Sequence, residues 1–183
     1  MPRWRPRTTA AVIGIGVAAA IAAVLLIRGT DDSAQQAEKS KSTRPRAEGP
    51  ELASAGRLRE LANSVWYPVY WAGQRPGGYE LTVDRNANIL IRYRGVSESP
   101  NATSLTVATY PFANAFEILR AASRGPGMTV GHTPDGGLAV VRKGTPRNAY
   151  IAYPQRDVQI EVYDPRAGRA LELATAGAIT PIL

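Results

Sequence analysis

The apolar pattern changes period along the chain, and each change marks an element. From Ala10 to Ile27 every residue is Ala, Val, Ile, Leu or Gly. Such a run, extended by Thr8 and Thr9, reaches about 30 Å as a helix, enough to cross the hydrocarbon core of a bilayer. Only a helix satisfies its own backbone in lipid, so the pattern predicts a transmembrane helix over residues 8–28. Residues 29–50 carry almost no large apolar group. They cannot bury enough surface to offset the entropy of ordering, so they are expected to form a flexible linker.

Periodicity returns at Glu51. Leu58, Leu61, Ala62 and Val65 recur at helical spacing, with Arg57, Arg59 and Glu60 on the opposite face. Pro50 stands where a helix start is expected. From Val65 to Trp71 the chain is dense in aromatic and β-branched residues, which predicts a strand. Tyr79, Leu81 and Val83 then alternate with polar residues, as do Ile89, Ile91 and Tyr93 after the turn Asp84-Arg85-Asn86-Ala87. That pair reads as a hairpin with one buried face. Ser104 to Tyr110 is a third strand. Pro111 is expected to open a helix whose Phe112, Phe116 and Leu119 share a face and which Gly125 ends.

The same order follows again: strands at Leu138–Arg142, Ala149–Tyr153 and Val158–Val162, then a helix from Pro165 to Gly177 with Ala167, Ala170, Leu171 and Ala174 inward. NILIRY from Asn88 matches NAYIAY from Asn148, and TVATYPFANAFEILRAASRG matches IEVYDPRAGRALELATAG. The expected fold is α+β: two tandem βββα-like units forming a mostly antiparallel sheet with helices on one face, preceded by the transmembrane helix. The resulting organisation is a basic tail at 1–7, the membrane helix at 8–28, the linker at 29–50 and an α+β domain at 51–183.

Charge sets the orientation of the predicted helix. The formal net charge is +7. Arg3, Arg5 and Arg7 precede the apolar run, whereas Arg28 follows it and Asp31 and Asp32 come next. The positive-inside rule puts the N-terminus in the cytoplasm and the domain outside the cell membrane, with Trp4 at the interface. A signal peptide cleaved near Gln35 is the alternative. Residues 51–183 keep only +3, with the bases scattered, which argues against a nucleic-acid partner.

The stretches YPVYWAG, YELTVDRNANILIRYR, LTVATYPF and DVQIEVYDPRAGRAL resemble those of single-pass membrane-anchored proteins of the high-GC Gram-positive, actinobacterial type, a group with no established activity. The resemblance spans most of residues 65–180. It implies a location and a fold, and it carries over no functional residue.

Candidate chemistry is sparse. Cysteine is absent, which rules out disulfides and thiol chemistry, and one histidine makes a zinc site unsupported. The sequence implies no cofactor, no metal and no catalytic residue. His132, in GHTPDGG, reads as a turn histidine with Asp135 too close in sequence to orient it as a base. Glu80, Asp84, Glu161 and Asp164 fall on or beside strands; the polar positions of Glu80 and Glu161 suggest solvated surface. The glycine-containing stretches lack phosphate-loop spacing.

The aromatic run Trp66-Tyr67-Pro68-Val69-Tyr70-Trp71 is the candidate recognition element. If it is one strand, either Trp66 and Tyr70 or Tyr67 and Trp71 face outward, unless both faces are buried. The leading expectation is a non-catalytic module of the cell envelope, anchored in the bilayer and binding a protein or wall polymer through Trp66, Tyr67, Tyr70 and Trp71. The alternative is an envelope hydrolase acting through surface carboxylates.

Overall fold

The computed structural model describes residues 47–95 and 103–183. The predicted membrane helix and most of the predicted linker lie outside the described residues. Among the described residues, no helix is long and apolar enough to cross a membrane.

The elements run β1 (Glu48–Ala53), α1 (Ala55–Ser64), β2 (Tyr70–Trp71), β3 (Gly78–Val83), β4 (Ile89–Arg94), β5 (Thr106–Pro111), α2 (Ala115–Ser123), β6 (Met128–His132), β7 (Leu138–Arg142), β8 (Asn148–Ala152), β9 (Val158–Tyr163), α3 (Arg169–Thr175) and β10 (Thr180–Pro181). Eight strands form one sheet in the order β1-β3-β4-β5-β9-β8-β7-β6, and β2 pairs with β10 in a small second sheet. Every pairing is antiparallel. The order is symmetric about the β5–β9 junction, where Val107 opposes Val162 and Thr109 opposes Ile160.

The fold is thus α+β, an antiparallel sheet with three helices packed on it. The helices do not share one face, contrary to the pattern-based expectation. Inward residues of β3, β4, β5, β9, β8 and β7 form one cluster with Leu58 and Leu61 of α1, Ala170, Leu173 and Ala174 of α3, and Tyr70. The opposite face of the second half-sheet has its own cluster. There Leu138, Val140 and Ala152 meet Ala115 and Leu119 of α2, with Phe112, Phe116 and Tyr150 against them. Successive strand side chains alternate faces, so β7 and β8, apolar on both, must be covered twice. The helix after β5 supplies the second cover.

Local chemistry explains further departures from the sequence reading. The first element among the described residues starts at Glu48, inside the expected linker. Pro50 lies in edge strand β1, where the pairing with β3 is irregular between Glu48 and Glu51, a place that tolerates a missing N–H. Helix α1 is instead started by Ser54, whose side chain accepts from Arg57 N–H at 3.2 Å. In α3, Leu173 takes an inward position that the sequence pattern gave to the exposed Ala167. β6 and β10 were not anticipated, being too weakly patterned or too short, and the strand expected over Val65–Trp71 shrinks to β2. α2 and α3 both begin after a left-handed residue, Asn114 and Gly168, each three positions beyond a proline.

Candidate functional site

The aromatic run is not one strand. Val65 caps α1 in extended conformation, Pro68 follows three residues later, and only Tyr70 and Trp71 pair, with Thr180 and Pro181 of β10. Proline has no N–H to give a ladder, so strand alternation does not govern Trp66 and Tyr67. Neither expected pair faces outward. Tyr70 is fully buried, stacked on Tyr153 at 5.6 Å between ring centroids, and its hydroxyl accepts from Arg156. Its backbone N–H donates to Thr109 Oγ1 at 3.0 Å. Trp71 is half-buried against Tyr79. Tyr67 is buried. Trp66 alone of the four is open to solvent, at 57% exposure.

Trp66 forms one wall of a cleft of about 330 Å³ with Arg85, Asn86, Ala87, Pro111, Phe112, Ala113 and Asp157. The volume falls at the lower end of the range for small-molecule sites. Three chain segments meet here at one end of the sheet: the β3–β4 turn, the end of β5 and the β8–β9 turn. The first is folded by Asp84, whose carboxylate accepts from Asn86 N–H at 2.8 Å, Asn88 N–H at 2.9 Å and Asn88 Nδ2 at 2.7 Å. This Asx-type arrangement presents Arg85 and Asn86 at the tip.

Tyr67 then fixes the aromatic wall to that turn. Its hydroxyl donates to the Ala87 carbonyl, and its ring meets Trp66 edge-on at 5.2 Å. Burial, with Asp84 nearby, pushes the Tyr67 hydroxyl up to about 12, so it remains a donor at neutral pH. Tyr67 is thus buried between Trp66 and the β3–β4 turn and ties the one to the other. On the far side, Phe112 N–H donates to the Asp157 carbonyl at 2.8 Å, and Asn114 N–H to Asp157 Oδ1 at 3.0 Å. Those bonds hold Phe112 and Asp157 together. The finished cleft has two aromatic surfaces, a guanidinium, a carboxamide and a carboxylate. That combination suits a ligand with flat apolar faces and several hydroxyl or amide groups.

Arg85, Asn86, Phe112 and Asp157 escaped the sequence reading. The turn chemistry of DRNA was visible, but its meeting with Asp157 depends on β5 pairing with β9, a contact some fifty residues apart in the chain.

A second polar cluster lies on the sheet face that carries α2. Glu161 was expected at the solvated surface and is instead 1% exposed. It accepts from Asn148 Nδ2 at 2.6 Å, Tyr110 Oη at 3.0 Å and Tyr150 Oη at 3.4 Å. Burial raises its pKa, while these three donors oppose the rise. Glu80 stands on the same face, but β4 and β5 intervene between its strand and β9. Three strand spacings amount to about 14 Å, beyond the roughly 5–9.5 Å that separates glycosidase carboxylates. Glu80 is also tied to Arg92 at 3.4 Å and Arg94 at 2.9 Å. Glu80 and Glu161, two of the four carboxylates singled out in the sequence, are thus not brought together.

His132 ends β6 and is exposed, followed by the turn in which Thr133 Oγ1 donates to Asp135 Oδ1 at 2.6 Å. Among the described residues, no group of three His, Cys, Asp or Glu side chains could hold a metal ion. No protein-family model, curated protein or solved structure matches the chain.

Proposed function

We propose that the chain is a non-catalytic, membrane-anchored module of the cell envelope whose outer domain binds a wall glycan in the Trp66 cleft. The carrying observation is the exposed Trp66 indole beside Arg85, Asn86 and Asp157 in a preformed cavity. Sugar rings present an apolar C–H face to an aromatic surface, and their hydroxyls and N-acetyl groups meet donors and acceptors at the rim. The anchor rests on the apolar run Ala10–Ile27 and the arginines before it, which put the domain outside the membrane where such a polymer lies. We read the two βββα runs as tandem copies of one unit, supported by the symmetric strand order and the shared left-handed helix entry at Asn114 and Gly168.

The test is calorimetric titration of a fragment spanning residues 47–183 with soluble peptidoglycan disaccharides and tetrasaccharides. Saturable binding that weakens about tenfold in Arg85→Ala or Asp157→Ala is expected, the scale of a lost charged hydrogen bond. No saturation at millimolar tetrasaccharide would overturn the glycan assignment.

A further inference from the structure

The two edges of the main sheet are treated in opposite ways. Edge strand β1 has Pro50, Glu51 and an irregular register against β3. Those are devices that discourage another chain from pairing with it. Edge strand β6, Met-Thr-Val-Gly-His, has none of them: no proline, no Lys, Arg, Asp or Glu, and a regular five-residue register with β7 from Met128↔Arg142 to His132↔Leu138. Thr129, Val130 and His132 are exposed, Val130 at 45%.

The hydrogen-bonding groups of β6 that do not serve β7 can be identified. Lys143 N–H donates to the Gly127 carbonyl at 2.7 Å, and Thr133 N–H to the Gly137 carbonyl at 2.9 Å. Hydrogen-bonded and non-bonded pairs alternate in an antiparallel ladder, so Thr129 and Gly131 direct their groups toward β7. The N–H and C=O of Met128, Val130 and His132 therefore point away from the sheet.

We propose that the chain self-associates through this edge, two copies pairing antiparallel about a two-fold axis at Val130. In that register Val130 opposes Val130 of the second copy, and Met128 opposes its His132. All six outward groups of each strand are satisfied, and the eight-stranded sheets join into one. A second copy is the occupant because the charges flanking the strand are self-complementary, as its hydrogen bonding is. Exposed Arg124 lies four residues before β6 and exposed Asp135 three residues after it. Antiparallel pairing brings the Arg124 end of one copy to the Asp135 end of the other. The helices allow the approach: Met128 packs with the α2 cluster on one face, while Gly131 lies under Thr175 and Leu171 of α3 on the other. The covers thus sit above and below the strand, and no strand among the described residues pairs with its outer rim.

The chain has no cysteine, so single-cysteine variants of the full-length protein in detergent micelles report the register directly. Cα atoms of a hydrogen-bonded antiparallel pair lie about 5.5 Å apart, within disulfide range. Under mild oxidation Val130→Cys should convert at least about half of the protein to covalent dimer, and Leu52→Cys, on the opposite edge, under about a tenth. Met128→Cys and His132→Cys should link when mixed and do so little when alone. Linkage at position 130 no stronger than at position 52 overturns the proposal. So does self-linkage of Met128→Cys equal to that of the mixture. Both readouts are independent of any glycan.

Discussion

The first half-sheet, β3-β4-β5, and the second, β9-β8-β7, are each a βββ run followed by a helix, yet they are buried differently. Along β4 the side chains alternate between buried and half-exposed, with Ile89, Ile91 and Tyr93 inward and Leu90, Arg92 and Arg94 outward. Along β7, Leu138 through Val141 are all buried. The cause is where the helices go. α3 covers the second half on the inner face, and α2, which leaves the first half, covers the second half on the outer face. The outer face of β3 and β4 carries no helix among the described residues. Its polar positions are met by the Glu80, Arg92 and Arg94 ion pairs instead. A strand's sequence thus reports how many covers it receives, even when the covering helix comes from the other unit.

The two halves should differ most in the cost of a cavity. Ile151→Ala, in the doubly covered half, should cost about 3–5 kcal/mol, and Leu90→Ala, on the open face of β4, under about 1.5 kcal/mol. Urea denaturation of both variants checks it; equal losses would show the two halves to be equally packed.

A smaller effect compares the strand entries. A Cβ at Gly137, just before β7, would lie 2.5 Å from Tyr153 Cε1 and 2.7 Å from Thr133 Oγ1, whereas one at Gly78, which opens β3, meets nothing within 4 Å. Gly137→Ala should lose about 1–3 kcal/mol through overpacking. Gly78→Ala should change stability by under about 1 kcal/mol, with a reduced unfolded-state entropy in its favour. Thermal melts of the two proteins distinguish these outcomes.

The smallest effect is in pH dependence. Glu161 on β9 is buried, and its pKa is raised above the ordinary 4.5. The folded state therefore holds its proton to higher pH than the unfolded state does, so stability falls as pH rises from 4.5 through the folded value and then levels. Glu161→Gln should flatten that slope, whereas Glu80→Gln, on the open half, should leave it in place. Denaturation midpoints at pH 4.5 and pH 7 give the answer.

Much of the fold was legible because strict alternation names the half-buried strands and continuous apolar runs name the fully buried ones. Gly78–Val83, Ile89–Arg94 and Val158–Tyr163 fall where the period of two put them. The side on which α2 packs was not legible, since Phe112, Phe116 and Leu119 announce an apolar stripe without saying which sheet face receives it. β6 was missed because MTVGH has neither a clear period nor a dense apolar run. In the candidate site, residue type singled out the aromatic run but could not say that only Trp66 would be exposed. Strand alternation was applied across Pro68, where the ladder is not continuous. The burial of Tyr67 and Tyr70 follows from long-range partners, Ala87 and Tyr153, that local pattern cannot supply.

In the proposed function, Trp66 is the ring of the aromatic run that meets the ligand, while Tyr67 and Tyr70 belong to the core. Trp66→Ala and Tyr70→Ala, measured side by side for urea stability and for tetrasaccharide affinity, test it most directly. Trp66→Ala should change stability by under about 1 kcal/mol and weaken binding at least tenfold, as truncation of an exposed contact residue does. Tyr70→Ala should cost about 3–5 kcal/mol, and the molecules that remain folded should bind normally. Unchanged affinity in Trp66→Ala, or a stability loss there as large as in Tyr70→Ala, would contradict the assignment.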